Sequence, residues 1–255
     1  MPRRLRKQIL YGAFYLLVFA LIGGGIYFLF LKPAPSCYDK VKNQDEVEVD
    51  CGGVCSGVCS TVKIKPLESV VQILTLRPDA EHMSLFAQIN NPNLDYMAKS
   101  FIYNFSLYDS SDKVVKSFRG SSFIYPGEAK YILVPNFPNI DFSRVGFTAE
   151  SPEWVSSKEA SGAPNLALVG AQVNMKEGKL VVEGNIVNKD VIVVGSVLAL
   201  ATFTGDLGQI AGVSQTEVAD LSPGETRAFS IVHPNIERVD LAATKIFLYA
   251  QRSSH

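Results

Sequence analysis

Residues 9–31 read ILYGAFYLLVFALIGGGIYFLFL, 23 positions without a charged side chain. At roughly 1.5 Å rise per residue the run makes about 35 Å of helix, against a hydrocarbon core ~30 Å thick. Lipid offers no hydrogen bonds to stray backbone groups, so a spanning segment must satisfy its own, as a helix does. The run therefore predicts one transmembrane helix, and the chain must divide at it. Arg3, Arg4, Arg6 and Lys7 precede it. By the positive-inside bias they place tail 1–8 in the cytoplasm and the bulk of the chain outside a cell membrane crossed once. The apolar core is longer than the ~7–15 residues of a cleavable signal. Lys32-Pro33-Ala34-Pro35-Ser36 before Cys37 is also a poor lipoprotein cleavage context. An uncleaved signal anchor is the reading, with cleavage and lipidation as alternatives.

Beyond residue 32, nineteen Lys and Arg face twenty-five Asp and Glu, with no basic run. Such a surface does not suit nucleic acid, whose binding depends on neutralised phosphates. The four cysteines, Cys37, Cys51, Cys55 and Cys59, all fall in segment 32–66, separated by 13, 3 and 3 residues. Outside the cytoplasm an even, confined set predicts two disulfides, in any of three pairings. A zinc site is the competing reading, although C-x2-C knuckles are missing. Asp39, Asn43, Glu46 and Asp50 offer hard oxygen ligands of the kind calcium takes. The alternative is a solvated acidic turn, and no other cofactor is expected.

From residue 67 the texture changes to runs with the two-residue period of strands. In 100–109, Phe101, Tyr103, Phe105 and Leu107 share one face. Similar runs occupy 70–76, 83–89, 114–118, 130–134 and 144–149, separated by turn signals such as Asn90-Asn91-Pro92-Asn93 and Pro126-Gly127. Pro126-Gly127-Glu128 recurs as Pro223-Gly224-Glu225, Pro138-Asn139-Ile140 as Pro234-Asn235-Ile236, and Asn91 as Asn188, all at offsets of 96 or 97. This predicts an all-β exterior of two tandem antiparallel β-sandwiches, 67–150 and 165–251, beads rather than a solenoid of shorter repeats. Segment 151–164 links them and 252–255 forms a tail.

Two resemblances follow from these residues. The stretch CYDKVKNQDEVEVDCGGVC (37–55) resembles a cysteine motif of bacterial surface proteins, C-x-D-G-x-x-N-x-x-E-x-x-x-D-C-G-G-x-C, with Lys40 where a Gly is customary. The resemblance implies a cell-surface context. Phe105-Ser106-Leu107-Tyr108-Asp109, with Asn91 before it and Pro126-Gly127-Glu128 after it, resembles the FxLYD family, whose domains are similar to LEA-2 (LEA14-like) sandwiches. In the second copy Ala201-Thr202-Phe203-Thr204-Gly205-Asp206 takes the FSLYD position, with Asp206 as the counterpart of Asp109. The resemblance implies immunoglobulin-like folds, which host many functions. Asp109 and Asp206 are expected to accept backbone hydrogen bonds in turns. Each Pro-Gly supplies a reversal, after which Glu128 or Glu225 opens the next strand.

Catalytic chemistry leaves little trace in the chain. His82, His233 and His255 are the only histidines, and none has an evident partner nearby in sequence. Nucleophile-elbow, zincin and phosphate-loop motifs are missing. No catalytic residue is nominated. Trp154, the single tryptophan, is expected to plug the junction between the sandwiches. Stretches 96–98 and 191–194, just after the Asn turns, read as core or, if exposed, as a contact surface. The expected protein is a membrane-anchored binding or scaffolding module that meets an envelope protein or wall polymer. Alternatives are an accessory subunit of an envelope enzyme or of a transport or secretion complex, and a passive spacer.

Overall fold

The computed structural model describes residues 3–27, 36–55, 59, 63–158 and 162–252. Helix α1 spans Arg3–Ile26. Its stretch Arg6–Ile26, 21 residues, is long and apolar enough to cross a membrane, and none of it is buried against protein. The helix starts ahead of the expected residue 9 because the basic residues continue the same turn. The expected end at residue 31 lies outside the described residues.

The rest is strand. The first sandwich contains β1 (Glu68–Leu76), β2 (His82–Asn90), β3 (Tyr96–Tyr108), β4 (Val114–Ile124), β5 (Ala129–Pro138) and β6 (Arg144–Ser156). The second contains β7 (Leu166–Lys176), β8 (Lys179–Asn188), β9 (Val194–Gly205), β10 (Ile210–Leu221), β11 (Thr226–Pro234) and β12 (Val239–Ala250). Each sandwich is a pair of three-stranded antiparallel sheets, ordered β1-β2-β5 with β4-β3-β6, and β11-β8-β7 with β10-β9-β12. The duplication extends to register. Phe105 faces Phe118 on β4, and Ala201 faces Ser214 on β10, both members shifted by 96. Gln88 faces Tyr131, and Asn185 faces Ala228, shifted by 97.

Alternation fills each sandwich. Met83, Leu85, Ala87 and Ile89 of β2 meet Phe101, Phe105 and Leu107 of β3 in the first core. Leu180, Val182 and Ile186 of β8 meet Val197, Ala199, Ala201 and Phe203 of β9 in the second. The residues between them do not all face water. Phe86 and Leu133 of the first sandwich pack with Leu200, Val213 and Tyr249 of the second in a third buried cluster. Sheets β1-β2-β5 and β10-β9-β12 are thus covered on both sides, and four sheets stack in one series. That explains unbroken burial from Met83 to Ala87 and from Ala199 to Phe203, the pattern of strands with two covered faces. Each large apolar side chain in the shared cluster contributes on the order of 1.5–3 kcal/mol by burial.

Candidate functional site

In the cysteine segment the disulfides join Cys37 to Cys55 and Cys51 to Cys59. Pairing is interleaved, so the second bridge starts inside the first loop and closes beyond it. Among the described residues the cysteines lie near Glu46 and Glu48 in two ligand-like groups, but sulfurs bound to each other are not thiolate ligands. Three of the four calcium-type residues, Asp39, Glu46 and Asp50, accept backbone N–H groups, and Asn43 donates to Asp39. Asp39 accepts the N–H of Val41 and the amide of Asn43, both at 2.9 Å. One oxygen of Glu46 accepts the N–H groups of Asn43 and Asp50 at 3.2 and 3.1 Å. Asp50 accepts the N–H of Lys40 with both oxygens. These carboxylates accept local donors, while Asn43 Oδ1 is buried without a hydrogen-bond partner. Hydrogen bonds to the ionised form, from Asn43 first and then Ser36 and Val41, hold the Asp39 carboxyl below its usual range. Lys40 adopts φ 59° in the position where the motif has Gly.

The repeated motifs are locks for turns. Asn91 is 2% exposed and Asn188 fully buried. The Asn91 side chain donates to Tyr96 O and Tyr125 O at 2.7 and 3.0 Å and accepts the N–H of Asn93. Asn188 does the same with Ile192 O, Leu221 O and the N–H of Asp190. Each ties the β2–β3 or β8–β9 connection to the opposite turn. Within those turns Glu128 accepts the N–H of Tyr125 at 2.7 Å, and Glu225 that of Ser222 at 2.8 Å. Both glutamates therefore close their Pro126-Gly127 and Pro223-Gly224 reversals through the side chain, and β5 and β11 begin after them. Gly127 and Gly224 supply φ of 64° and 72°.

Asp109 accepts the N–H groups of Ser111 and Lys113 at 2.8 and 3.0 Å, as a turn residue should. Asp206 does not repeat this. The bond from Asp109 N–H to Lys113 O recurs as Gly205 N–H to Gln209 O, and Asp112 N–H to Asp109 O as Gly208 N–H to Gly205 O. The counterpart of Asp109 is Gly205, one residue earlier than expected, and exposed Asp206 lies past it. Gly208 (φ 79°) replaces Asp112 (φ 61°), so the second turn has no need of a carboxylate brace.

Trp154 is also placed differently from its expectation. It lies on β6 opposite Ala98 and packs against the first sandwich's own core. Strand β6 runs to Ser156 and so carries Trp154 with it, beyond the expected boundary at 150. Other aromatics meet at the junction: Tyr131 stacks on Phe86 at 4.8 Å and meets Phe247 edge-on at 4.9 Å.

Polar contacts also cross the junction. Tyr131 N–H donates to Tyr249 Oη at 3.1 Å, Tyr125 Oη to Ala250 O at 3.2 Å, and Gln251 Nε2 to Lys99 O at 3.0 Å. Between the sandwiches sits Lys130, 2% exposed. Its ammonium donates to Phe123 O at 2.9 Å and lies 3.3 Å from the Phe123 ring centre and 5.0 Å from that of Tyr249. Burial pushes it down to about 8, against the pull of the Glu128 charge. Burial also raises Glu128, opposed by the Tyr125 N–H and Lys130. An open groove of about 600 Å³ runs beside it, lined by Tyr103, Ser122, Lys130, Ser196, Gln215 and Glu217 among others. Sequence reasoning missed Lys130 because alternation gives the face of a strand residue and not what covers a charge there.

The histidines divide. His82 has a carboxylate after all, with Nδ1 2.9 Å from Asp79 on the open surface. His233 is 3% exposed, with Nδ1 donating to Pro234 O at 2.7 Å, and burial lowers its pKa. Its ring packs on Phe203 of the second core. His255 lies outside the described residues. Compared with known proteins, the chain matches no family model and no curated protein.

Proposed function

We propose that this is a single-pass, membrane-anchored binding or scaffolding protein that presents two FxLYD/LEA-2-like sandwiches on the outer side of the cell membrane. The observation that carries the reading is the pairing of α1, none of whose described residues is buried, with a two-sandwich body joined through its own buried cluster. A helix of that composition needs lipid around it. Fixed sandwiches offer a preorganised surface, which lowers the ordering cost of binding. The motif residues Asn91, Asn188, Asp109, Glu128 and Glu225 are committed to turns, which leaves recognition to the surface between and around them. The partner class is an envelope protein or wall polymer. Crosslinking the full-length chain in its native membrane and identifying the captured species tests this reading; capture of no partner counts against it.

The junction groove favours a second reading, an accessory subunit of an envelope enzyme or transport complex with a site built between the domains. A ligand held there would protect Lys130 from slow amine acylation. Unchanged acylation in the native complex argues against it.

A further inference from the structure

Leu94 and Val191 occupy the same place in the two repeats, three residues after the buried Asn91 and Asn188. They are among the most exposed large apolar residues of the body, at 77% and 87%. Val193 beside Val191 is 41% exposed. An isolated exposed aliphatic is ordinary. Here the same exposure recurs at both copies of one loop, and the stack brings the two loops to one end. Three bonds set that arrangement: Tyr125 to Ala250, Tyr131 to Tyr249, and Gln251 to Lys99. In the first sandwich Tyr125 adjoins the Asn91 turn, to which it is hydrogen-bonded. In the second, Ala250 pairs with Val197 near the start of β9, just beyond the Asn188 turn. The two repeats therefore lie parallel, with both Asn turns at the same end.

The chain arriving from α1 is fastened to that end. Lys65 N–H donates to Asn93 Oδ1 at 2.8 Å, and Asn93 Nδ2 returns a bond to Lys65 O at 2.9 Å. Leu94 is the next residue. Charge permits the placement. Exposed Lys63, Lys65, Lys158 and Lys189 lie near this end with Glu68, Asp95, Glu153 and Asp220, and Asp190 and Glu225 there are paired with Arg252 and Arg227, so the two signs are balanced. This end is therefore not repelled by an anionic surface.

We propose that this end of the stack rests on the bilayer that holds α1, with Leu94 and Val191 inserted among the lipid headgroups. The proposal rests on the membrane-anchored reading above. Two aliphatic tips then restrain the tilt of the body relative to the membrane, and the opposite turns, including Leu207, point away from it.

The test uses the full-length, oxidised chain in vesicles of phosphatidylcholine mixed with phosphatidylglycerol, which gives the surface a negative potential. Leu94→Cys, Val191→Cys and Leu207→Cys variants each carry an environment-sensitive fluorophore. Flotation with the vesicles reports the anchor. Quenching by headgroup-proximal doxyl lipids reports the loops. The expected result is flotation of all three, a blue shift and loss of most emission at 94 and 191, and neither change at 207, which is equally exposed (87%). Flotation without quenching at 94 and 191 overturns the docked pose and leaves the anchor standing. A blue shift there without quenching overturns it too and assigns the end to a protein contact, such as a second copy. Failure to float removes the anchored reading and the pose together.

Discussion

Lys130 of the first sandwich sits beneath Tyr249 of the second, its ammonium 5.0 Å from the centre of the ring. In the unfolded chain a lysine keeps its proton to about 10.5, whereas folded Lys130 releases it near 8. Between those values the unfolded chain binds more protons, so stability rises with pH. The cost of the buried charge is fully present below pH 8 and is relieved above it. From pH 7.5 to 9.5 the gain should be about 2 kcal/mol by urea denaturation. Above pH 10 the sign reverses: burial raises Tyr125 to about 12 and Tyr249 further, so the unfolded tyrosines ionise first. Lys130→Met should flatten the rise and keep the fall. A flat wild-type profile from 7.5 to 9.5 would mean that water reaches the ammonium through the groove.

Asn188→Ala removes two donors and one acceptor from a fully buried site and strands the carbonyls of Ile192 and Leu221. Unsatisfied buried groups cost about 1–3 kcal/mol each, partly recovered by relaxation. A loss of about 3 kcal/mol in equilibrium unfolding is expected, and Asn91→Ala should match it. A loss under 1 kcal/mol at both sites would show that the turns hold without their amides.

Asp109→Ala should destabilise by about 1–2 kcal/mol through two lost bonds from Ser111 and Lys113. Asp206→Ala should stay within about 0.5 kcal/mol, as an exposed substitution. Equal losses would return Asp206 to the role of Asp109 and contradict the register placed on Gly205.

Without reductant, all four cysteines should resist alkylation, and fragmentation of linked peptides should return the pairs 37–55 and 51–59. Other pairings would redraw the segment. Millimolar calcium should leave the thermal midpoint of the full chain unchanged, because backbone N–H groups already hold the carboxylates of Asp39, Glu46 and Asp50. A rise of several degrees with calcium would show that those bonds exchange for a metal.

Much of the architecture is written in local chemistry. An uncharged 23-residue run announces a helix, period-two patterning announces strands, and repeated Asn and Pro-Gly-Glu signals at one offset announce a duplication. The turn role of Asp109 is equally legible, since a short acid after a strand accepts nearby N–H groups whatever surrounds it. Legibility ends where the answer depends on what covers a residue. By letter Asp206 matches Asp109, while hydrogen bonding gives that place to Gly205. Trp154 stands in a stretch of linker composition, yet β6 runs on and delivers it to its own core. Alternation says that Leu198 and Leu200 share a face. It does not say that the face meets Phe86 and Leu133 of the other copy. The helix, the strands and the duplicated turns can be read along the chain, because neighbouring residues set them. The parallel stacking of the repeats, the approach of Lys130 to Tyr249 and the shared end of Leu94 and Val191 are not legible there, because they arise between segments more than 90 residues apart.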